Sequence, residues 1–403
     1  MSATNLILIV ASLLCAGILF HPKLLRAPLW RATVTPLASI IGSGFLVAGP
    51  ILAHAAGTKA WLAMLSLCAL AYLFGAAIRY NILHVEPNLD NSPARFVAGL
   101  ERLSQVSLSL AYFVSVAYYI NLFAAFGLRF GDVVDPFWIR TVATVVISAL
   151  GLVGLSGGLK MLERLEIGAV GLKLCVIGGL LAALILAGII MAVQGRFEWR
   201  APIHPHGWEE VRVLLGLVIM VQGFETSRYL GAEYEAIERV KTMRWAQWIA
   251  SAIYIVFVLL ITSYFKNGLP PQGGETAIID MLAPLGMALG PMIIVAALAS
   301  QMSAAVADMN GAGGLISESS GRKLPVNLGN LVTALVAILI IWSADIFEII
   351  TYASKAFVIY YGLQSFQAAF ASYKNDKTVL TVLFGIAVLI ALIVLIFAIP
   401  ASI

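Results

Sequence analysis

The sequence predicts an all-α polytopic membrane protein with about twelve transmembrane helices. Of its 403 residues, 61% are hydrophobic and only 11% are charged, whereas soluble domains average about 25% charged residues. The apolar residues lie in continuous runs of about 20 residues, the length that a helix needs to cross a bilayer. Helices are favoured over a β-barrel because barrel strands alternate apolar and polar residues over about ten positions.

Twelve apolar runs follow one another along the chain and are joined by short polar connections such as KNGLPPQGGET. The runs lie at about residues 5–20, 34–55, 60–82, 100–128, 137–155, 165–194, 211–231, 245–265, 283–315, 327–343, 346–371 and 378–400. No positive charge precedes the first run and no small-residue cleavage site follows it, which favours a retained helix over a signal sequence. No polar stretch is long enough for a separate soluble domain.

The Lys and Arg residues of the connections are divided unequally between the two sides of the membrane. One set of connections carries Lys23, Arg26, Arg31, Arg79, Arg95, Arg102, Lys160, Arg164, Arg239, Lys241, Arg244, Arg322, Lys323, Lys374 and Lys377. The opposite set carries Lys59, Arg129, Arg140, Arg196, Arg200, Arg212 and Lys266. Because cytoplasmic loops are enriched in Lys and Arg, the larger set is predicted to face the cytoplasm and both termini to lie outside. We expect an integral protein of the cytoplasmic (inner) membrane of a bacterium.

The reactive residue types do not form the spacings that an enzyme or a metal site requires. Cys15, Cys68 and Cys175 all lie in apolar runs, where we interpret them as packing residues. The five histidines show no H-E-x-x-H or i,i+4 pattern, and no G-x-S-x-G or P-loop motif occurs. We therefore expect no catalysis, no metal site, no cofactor, no nucleic-acid partner and no ATP-driven transport.

Two of the apolar runs are interrupted by glycine. In SIIGSGFLVAGP, Gly42, Ser43 and Gly44 stand in the middle of the run, although glycine costs about 1 kcal/mol relative to alanine in a helix. In VQGFETSRYL, Gly223 interrupts a second run. Each run is the first of five, and the two enter the membrane from opposite sides, which indicates an inverted-repeat transporter with discontinuous first and sixth core helices. Close helix packing is the alternative explanation of the first motif taken alone.

Several motifs occur in the order that one transporter superfamily shows. IIGSGFLVAGP resembles the broken first core helix of the amino acid–polyamine–organocation (APC) superfamily, where I-G-S-G-I-F is typical, and QGFE is similar to its sixth core helix. YLGAEYEAIERVKTMRWAQ resembles the stretch that leads into the seventh helix, and MSAAVADMNGAGGLISESSGRKLP resembles the eighth. The resemblance covers residues 34–371 and implies a LeuT-like 5+5 inverted repeat as the transport core. Residues 1–33 then add a transmembrane helix with a basic cytoplasmic loop, and residues 372–403 add a C-terminal transmembrane helix.

The resemblance implies that the substrate binds where the two interrupted helices face each other. The matching positions are Ile41, Gly42, Ser43, Gly44, Gln222, Gly223 and Phe224, joined by Tyr118 and Tyr119 of the third core helix. Unwinding frees backbone N–H and C=O groups for the substrate, and the N-terminus of a half-helix attracts a carboxylate. Because the run 34–55 contains no charged side chain, a zwitterionic amino acid is favoured over a polyamine dication. Packing is the alternative role of the two tyrosines.

Lys173, in AVGLKLCVIGG, lies well inside the run that matches the fifth core helix. The resemblance implies that its ammonium takes the place of the sodium ion of sodium-coupled relatives, so that a proton is the coupling ion. A lysine that snorkels to the interface is the alternative. Ser300 and Ser303 match the eighth-helix positions whose hydroxyls ligate sodium in such relatives, so sodium coupling stays open. Hydroxyls bonded to carbonyls of the preceding helical turn are an equally weighted alternative.

Four further charged residues lie in apolar runs, where each charge costs about 2.5–3.5 kcal/mol at a helix centre. Glu225 and Arg228 are three residues apart, which allows a same-face charge pair that acts as a gate near the cytoplasmic half. Contact with the substrate is the alternative role. Asp308 either neutralises a lysine inside the bundle or faces the cytoplasmic vestibule. Lys355 either attracts an anionic substrate or pairs with a carboxylate.

The function that these observations favour is secondary active transport. We expect a proton-coupled symporter that carries a small amino acid or an amino-acid-like solute across the cytoplasmic membrane by alternating access. The partners are then the small-molecule substrate and the lipid bilayer. The alternatives are a sodium-coupled or exchange transporter of another small organic solute, and a passive channel or facilitator on the same bundle.

Overall fold

The computed structural model describes residues 3–89, 95–156, 166–195, 197, 207–231, 233–265 and 273–401. All regular secondary structure in these ranges is helical. Twelve helices correspond to the twelve predicted runs: α1 (Ala3–Leu19), α2 (Pro28–Ala56), α3 (Ala60–His84), α4 (Arg95–Leu128), α5 (Pro136–Leu155), α6 (Glu166–Val193), α7 (Trp208–Leu215), α8 (Ala236–Ile261), α9 (Leu289–Ser319), α10 (Val326–Ser343), α11 (Ile346–Lys374) and α12 (Thr378–Phe397). The ten predicted core helices are α2 to α11.

Most of these helices are long and apolar enough to cross a membrane. Within the described ranges, nine helical segments meet the length and hydropathy of a membrane span, and one of them, Pro28–His84, contains both α2 and α3. The two remaining helices are short, since α1 has 17 residues and α7 has eight. α7 is only the first part of the seventh predicted run, which continues as two 3₁₀ turns, Val218–Val221 and Phe224–Leu230.

Some helices extend beyond the apolar runs that predicted them. α2 begins at Pro28 rather than near residue 34, because proline at the first position of a helix gives up no hydrogen bond. α8 begins at Ala236, with two polar turns before its apolar part. The hydropathy pattern marks the apolar part of each helix and misses the turns that extend into the polar interface.

Contacts between connections define two ends of the bundle. At one end, which we call the outer end, Arg129 forms an ion pair with Asp280 at 2.7 Å. At the opposite, inner end, Arg102 Nη2 donates a hydrogen bond to Ser319 O at 2.6 Å. Each contact joins two segments that were predicted to share a side of the membrane. The names outer and inner follow that predicted orientation.

The first core helix differs from its prediction. α2 is a continuous α-helix from Pro28 to Ala56, so the break predicted at Gly42–Gly44 is absent and the first core helix is not discontinuous. The reason is packing: a Cβ at Gly44 would lie 2.5 Å from Met220 Cα, so the missing side chain lets the sixth core helix approach. The cost of glycine in a helix, about 1 kcal/mol, is small enough for such packing to outweigh it.

The sixth core helix is discontinuous, as predicted. α7 ends at Leu215, and the chain then passes through a 3₁₀ turn to Gln222, whose backbone is extended. Gly223 has φ 113°, a value that strongly favours glycine. A Cβ at Gly223 would also lie 2.7 Å from Ile40 N of α2, so the two core helices meet backbone to backbone at this point.

The additional helix α1 packs along α6, the helix that carries Lys173. Small residues allow this close contact, because a Cβ at Gly178 would lie 2.5 Å from Cys15 Sγ and a Cβ at Gly179 would meet Ser12 Oγ and Leu8 O. α12 packs in a similar way on α11. The two helices outside the predicted repeat therefore support the fifth and tenth core helices.

Candidate functional site

A cavity of about 810 Å³ enters the bundle from the inner end, between α2, α6, the 3₁₀ segment of the sixth core helix and α9. Its mouth carries exposed charged side chains of both signs, among them Arg31, Glu233 and Glu318. Tyr234 also lies at the mouth, where burial raises the pKa of its hydroxyl. Such a volume is typical of a site for a small molecule.

Lys173 lies in the deep part of this cavity and is 5% exposed. Its Nζ donates a hydrogen bond to Ala38 O of α2 at 2.8 Å. A Cβ at Gly42 would lie 3.6 Å from this Nζ and 3.7 Å from Ser300 Oγ of α9. The ammonium is therefore located between the first, fifth and eighth core helices.

The eighth core helix also binds the backbone of α2 beside Lys173. Ser300 Oγ and Gln301 Nε2 both lie 3.2 Å from Gly42 O, as donors. Ser303 lines the same cavity one turn further along α9. Gln301 was not predicted, although an uncharged polar side chain in an apolar run next to Ser300 is the signal that could have identified it.

The predicted substrate residues lie mostly behind the cavity rather than on its surface. Ile41, Tyr118, Tyr119, Gln222 and Phe224 are at most 1% exposed, and none of them lines the cavity. The side chain of Ser43 lies outside the described part of the structure.

These buried residues form two groups of contacts in the packed wall. Gln222 Nε2 donates to Tyr119 Oη at 2.7 Å, and the rings of Tyr118 and Tyr119 are 5.4 Å apart. Phe224 stacks on Tyr361 of α11 at 5.0 Å. The wall connects the sixth core helix to the third and the tenth.

The surface of the cavity includes polar side chains outside the predicted substrate set. Ser39, Thr226 and Tyr112 line it, and Tyr112 belongs to the same third core helix as the predicted Tyr118 and Tyr119. Ser39 precedes Gly42 by three residues and Thr226 follows Gly223 by three, so both lie one turn nearer to the mouth than the glycines. The signal that could have identified Ser39 and Thr226 is a hydroxyl side chain three residues from each interrupting glycine, on the side of the inner end.

The unwound backbone is bound by side chains of the protein. Ser354 of α11 donates to Gly216 O at 2.7 Å and accepts from Ile219 N at 2.9 Å. The Tyr254 hydroxyl of α8 lies 2.7 Å from Met220 O and 2.9 Å from Ile40 O of α2. A substrate was expected to bind this backbone, but in this structure side chains of neighbouring helices bind it.

The predicted pairing of Glu225 with Arg228 is wrong. Glu225 Oε2 accepts from its own segment, at Gly223 N (2.9 Å), and from Tyr361 Oη (2.8 Å). Arg228 instead forms an ion pair with Glu101 of α4 at 2.8 Å. Glu225 therefore binds the unwound backbone and α11, and Arg228 binds α4. Both sets of contacts fix the sixth core helix.

The two other charged candidates have different surroundings. Asp308 of α9 is buried and accepts a hydrogen bond from Ser115 of α4. Lys355 is half-buried on α11, and the ion pairs formed within the described ranges do not include it. In the same part of the chain, no three His, Cys, Asp or Glu side chains are grouped so that they could hold a metal ion.

Comparison with known proteins agrees with this architecture. A family model of APC superfamily transporters matches residues 22–398. An uncharacterized protein of Aquifex aeolicus (strain VF5) is 39% identical over 401 residues, which cover 98% of this chain and 97% of the relative.

Solved structures of similar fold include a manganese transporter from Eremococcus coleocola. A variant of it gives a TM-score of 0.56 at 15% identity and covers 92% of this chain and 87% of its own. Its complex with an aromatic bis-isothiourea substituted compound gives a TM-score of 0.56 at 16% identity, with coverage of 93% and 88%. At these identities the likeness concerns the fold, which is that of the LeuT-like transporters. The predicted resemblance is thus confirmed over nearly the whole chain: the protein belongs to the APC superfamily of transporters.

Proposed function

We propose that this transporter is a proton-coupled symporter of a small zwitterionic amino acid or amino-acid-like solute, and that it works by alternating access across the cytoplasmic membrane. The observation that carries the proposal is the position of Lys173. Its ammonium lies in a solvent-accessible cavity and holds the backbone of α2 through Ala38 O. A single proton therefore links the cavity to the helix that must move when access changes.

The coupling follows from the hydrogen-bonding properties of lysine. The protonated ammonium is a donor with a full positive charge, and its bond to a backbone carbonyl is stronger than one between neutral groups. When the proton leaves, the neutral amine holds Ala38 O less strongly, and α2 is freer to move relative to α6. Lysine suits this role because, unlike arginine, it can release its proton in a protein.

The charges that line the cavity support a zwitterionic solute. Arg31 and Lys173 are cationic, Glu233 and Glu318 are anionic, and Tyr112 adds a hydroxyl group. A solute with one carboxylate and one ammonium can be complementary to both signs of charge. A dication would meet Lys173 at the deep end of the cavity, where like charges repel.

Two alternatives remain in competition. Sodium coupling is supported by Ser300 and Ser303, since both line the cavity wall beside Lys173. A passive facilitator on the same bundle would use the same cavity without any coupling ion. The proposed orientation, with the cavity open to the cytoplasm and both termini outside, rests on the excess of Lys and Arg in the connections of the inner end.

The test is uptake into liposomes by the wild type, Lys173→Ala and Lys173→Arg, with a pH gradient and with or without sodium. A thermal-shift screen of amino acids, amines and small carboxylates first identifies a solute, because a bound solute stabilises the folded protein. We expect both variants to lose pH-driven uptake, since alanine has no proton to carry and arginine does not release its proton. An uncoupler should abolish accumulation by the wild type.

Lys355→Ala is the matched control, because it removes a membrane lysine that does not line the cavity; we expect it to retain uptake. Near-normal transport by Lys173→Arg, or a strict requirement for sodium, would return the coupling role to Ser300 and Ser303. Equal solute concentrations on both sides at steady state, despite a pH gradient, would indicate a facilitator.

A further inference from the structure

A second cavity, of about 180 Å³, lies at the inner end where α3 ends, α4 begins and α11 ends. His84 and Asn88 line it on one side, Leu100 on another, and Gln367, Phe370 and Lys374 along α11. It shares no lining residue with the large cavity. The transport path therefore does not account for it.

One ammonium group lines this cavity, and a second lies near one of its lining residues. Lys374, which lines it, has its Nζ 4.5 Å from the centre of the Phe370 ring. Lys377 Nζ is 5.8 Å from the centre of the Tyr80 ring, which is 4.4 Å from the ring of His84, a lining residue. Both side chains are exposed, and neither belongs to an ion pair formed by the described residues. Asp376, exposed in the same turn, leaves the turn with a net positive charge.

One residue that lines the cavity has a buried acceptor with no partner among the described residues. Gln367 is 2% exposed, and its amide Nε2 donates to Glu101 Oε2 at 3.1 Å. Because the carboxylate of Glu101 is an acceptor, this bond fixes the orientation of the amide. Within the described ranges, its Oε1 makes no hydrogen bond. A ligand that supplies a hydroxyl group or another donor would satisfy it.

One side of the cavity borders the surface that the helices present to the bilayer. Phe96 is 55% exposed and contacts Phe370 edge-on at 5.3 Å. Phe366, 43% exposed, lies 6.4 Å from Phe96 between ring centres. Apolar rings next to a cationic pocket at a helix end fit an amphipathic ligand with an anionic head and an apolar tail. Basic pockets between helices on the cytoplasmic side bind anionic lipid headgroups in other membrane proteins.

We propose that this cavity binds the headgroup of an anionic phospholipid that carries free hydroxyl groups, such as phosphatidylglycerol. The phosphodiester interacts with Lys374 and Lys377, and a headgroup hydroxyl donates to Gln367 Oε1. The acyl chains lie over Phe96 and Phe366. Through Gln367 the lipid also supports Glu101, whose carboxylate pairs with Arg228 of the sixth core helix.

The test is binding by the purified full-length protein in detergent, measured by native mass spectrometry and by thermal shift. The probes are phosphatidylglycerol, phosphatidylcholine, phosphatidic acid and soluble glycerol phosphate. We expect phosphatidylglycerol to be retained at least tenfold more strongly than phosphatidylcholine. Lys374→Gln/Lys377→Gln should lower this affinity by a factor of ten or more.

The matched control is Arg322→Gln/Lys323→Gln, which removes two exposed cations from the same end of the bundle but not from this cavity. It should retain the affinity of the wild type. Gln367→Met should bind phosphatidylglycerol and phosphatidic acid equally, because the acceptor for the hydroxyl is gone.

Equal binding of phosphatidylglycerol and phosphatidylcholine by the wild type would overturn the proposal, as would unchanged binding by the lysine double variant. Glycerol phosphate that stabilises the protein as strongly as the lipid would show a site for a soluble anion instead. If Gln367→Met does not fold, the comparison between the two exposed double variants still decides the outcome.

Discussion

The first and sixth core helices carry the same sequence signal and have different structures. Both contain glycine in the middle of an apolar run, and both lie at the centre of the bundle. α2 nevertheless remains helical through Gly42 and Gly44, whereas the sixth core helix opens at Gln222 and Gly223. Glycine therefore permits an interruption without causing one.

The difference lies in what surrounds the backbone. Around Gly223, the side chains of Glu225, Ser354 and Tyr254 bind N–H and C=O groups that the helix no longer pairs. Since an unsatisfied backbone group costs several kcal/mol in the membrane, a helix can open only where such partners exist. Neighbouring side chains bind α2 at the carbonyls of Ala38, Ile40 and Gly42. A carbonyl has two lone pairs and can accept such a bond while it stays paired in its helix, so α2 remains helical through its glycines.

The largest expected effect concerns the ion pair that anchors the broken helix. Glu101→Gln leaves the Arg228 guanidinium, 3% exposed, without a carboxylate. Breaking a buried pair in this way costs about 3–5 kcal/mol, so we expect a clear loss in the free energy of unfolding. Chemical denaturation followed by intrinsic fluorescence measures it.

Glu86→Gln is the control for this variant. Glu86 pairs with Arg239 at 2.6 Å, but its side chain is 31% exposed, against 12% for Glu101. Solvent can compensate part of the lost charge, so the destabilisation should be smaller. Equal losses in the free energy of unfolding would mean that the Arg228–Glu101 pair stabilises the protein no more than the more exposed Arg239–Glu86 pair does.

The second prediction compares two glycines of the same helix turn. A Cβ at Gly44 would lie 2.5 Å from the backbone of Met220, whereas a Cβ at Gly42 meets its nearest atom, Lys173 Nζ, at an ordinary 3.6 Å. Gly44→Ala should therefore destabilise the protein by about 1–3 kcal/mol through overpacking. Gly42→Ala should keep or slightly raise stability, because alanine favours the helix.

Thermal unfolding of both variants, side by side, measures this difference. A stable Gly44→Ala would show that the two core helices do not pack as closely as the structure indicates. A strongly destabilised Gly42→Ala would show that α2 is not an ordinary helix at this position, and the original prediction of a break would regain support.

The same glycine signal predicted a break in both core helices, and it was right for the sixth and wrong for the first. The difference has a physical reason. Gly223 stands between Gln222 and a Glu225 two residues on, so polar groups that can bind a freed backbone are close in sequence. Gly42 and Gly44 are flanked by Ile41 and Phe45, and the hydroxyl of Ser43 is the only polar side-chain group from 41 to 45. The flanking residues, rather than glycine itself, held the information.

The sequence predicted the residues of the cavity where a buried charge determines their position, and it failed where packing does. Lys173 and Ser300 lie together on the cavity because a charge inside the membrane requires polar surroundings. Tyr118, Tyr119 and Gln222 lie behind it, because the face that a helix turns toward a cavity depends on packing between distant segments. The partner of Arg228 could not be predicted for the same reason: Glu101 is 127 residues away in the sequence.

The smallest expected effect concerns the hydroxyl that joins the two core helices. Tyr254 Oη lies within hydrogen-bond distance of Ile40 O in α2 and of Met220 O in the broken segment. Its single proton serves one carbonyl at a time, so Tyr254→Phe removes about one hydrogen bond, worth about 0.5–1.5 kcal/mol. Tyr352→Phe is the control, because Tyr352 of α11 is 47% exposed.

Since Gly44 and Tyr254 both contact Met220, we expect the double variant Gly44→Ala/Tyr254→Phe to lose less stability than the two single losses added together. Thermal unfolding of the four proteins in this cycle measures the coupling. Strict additivity would mean that the hydroxyl and the glycine hold the two helices independently, and that α2 and the sixth core helix are not joined at Met220 as one unit.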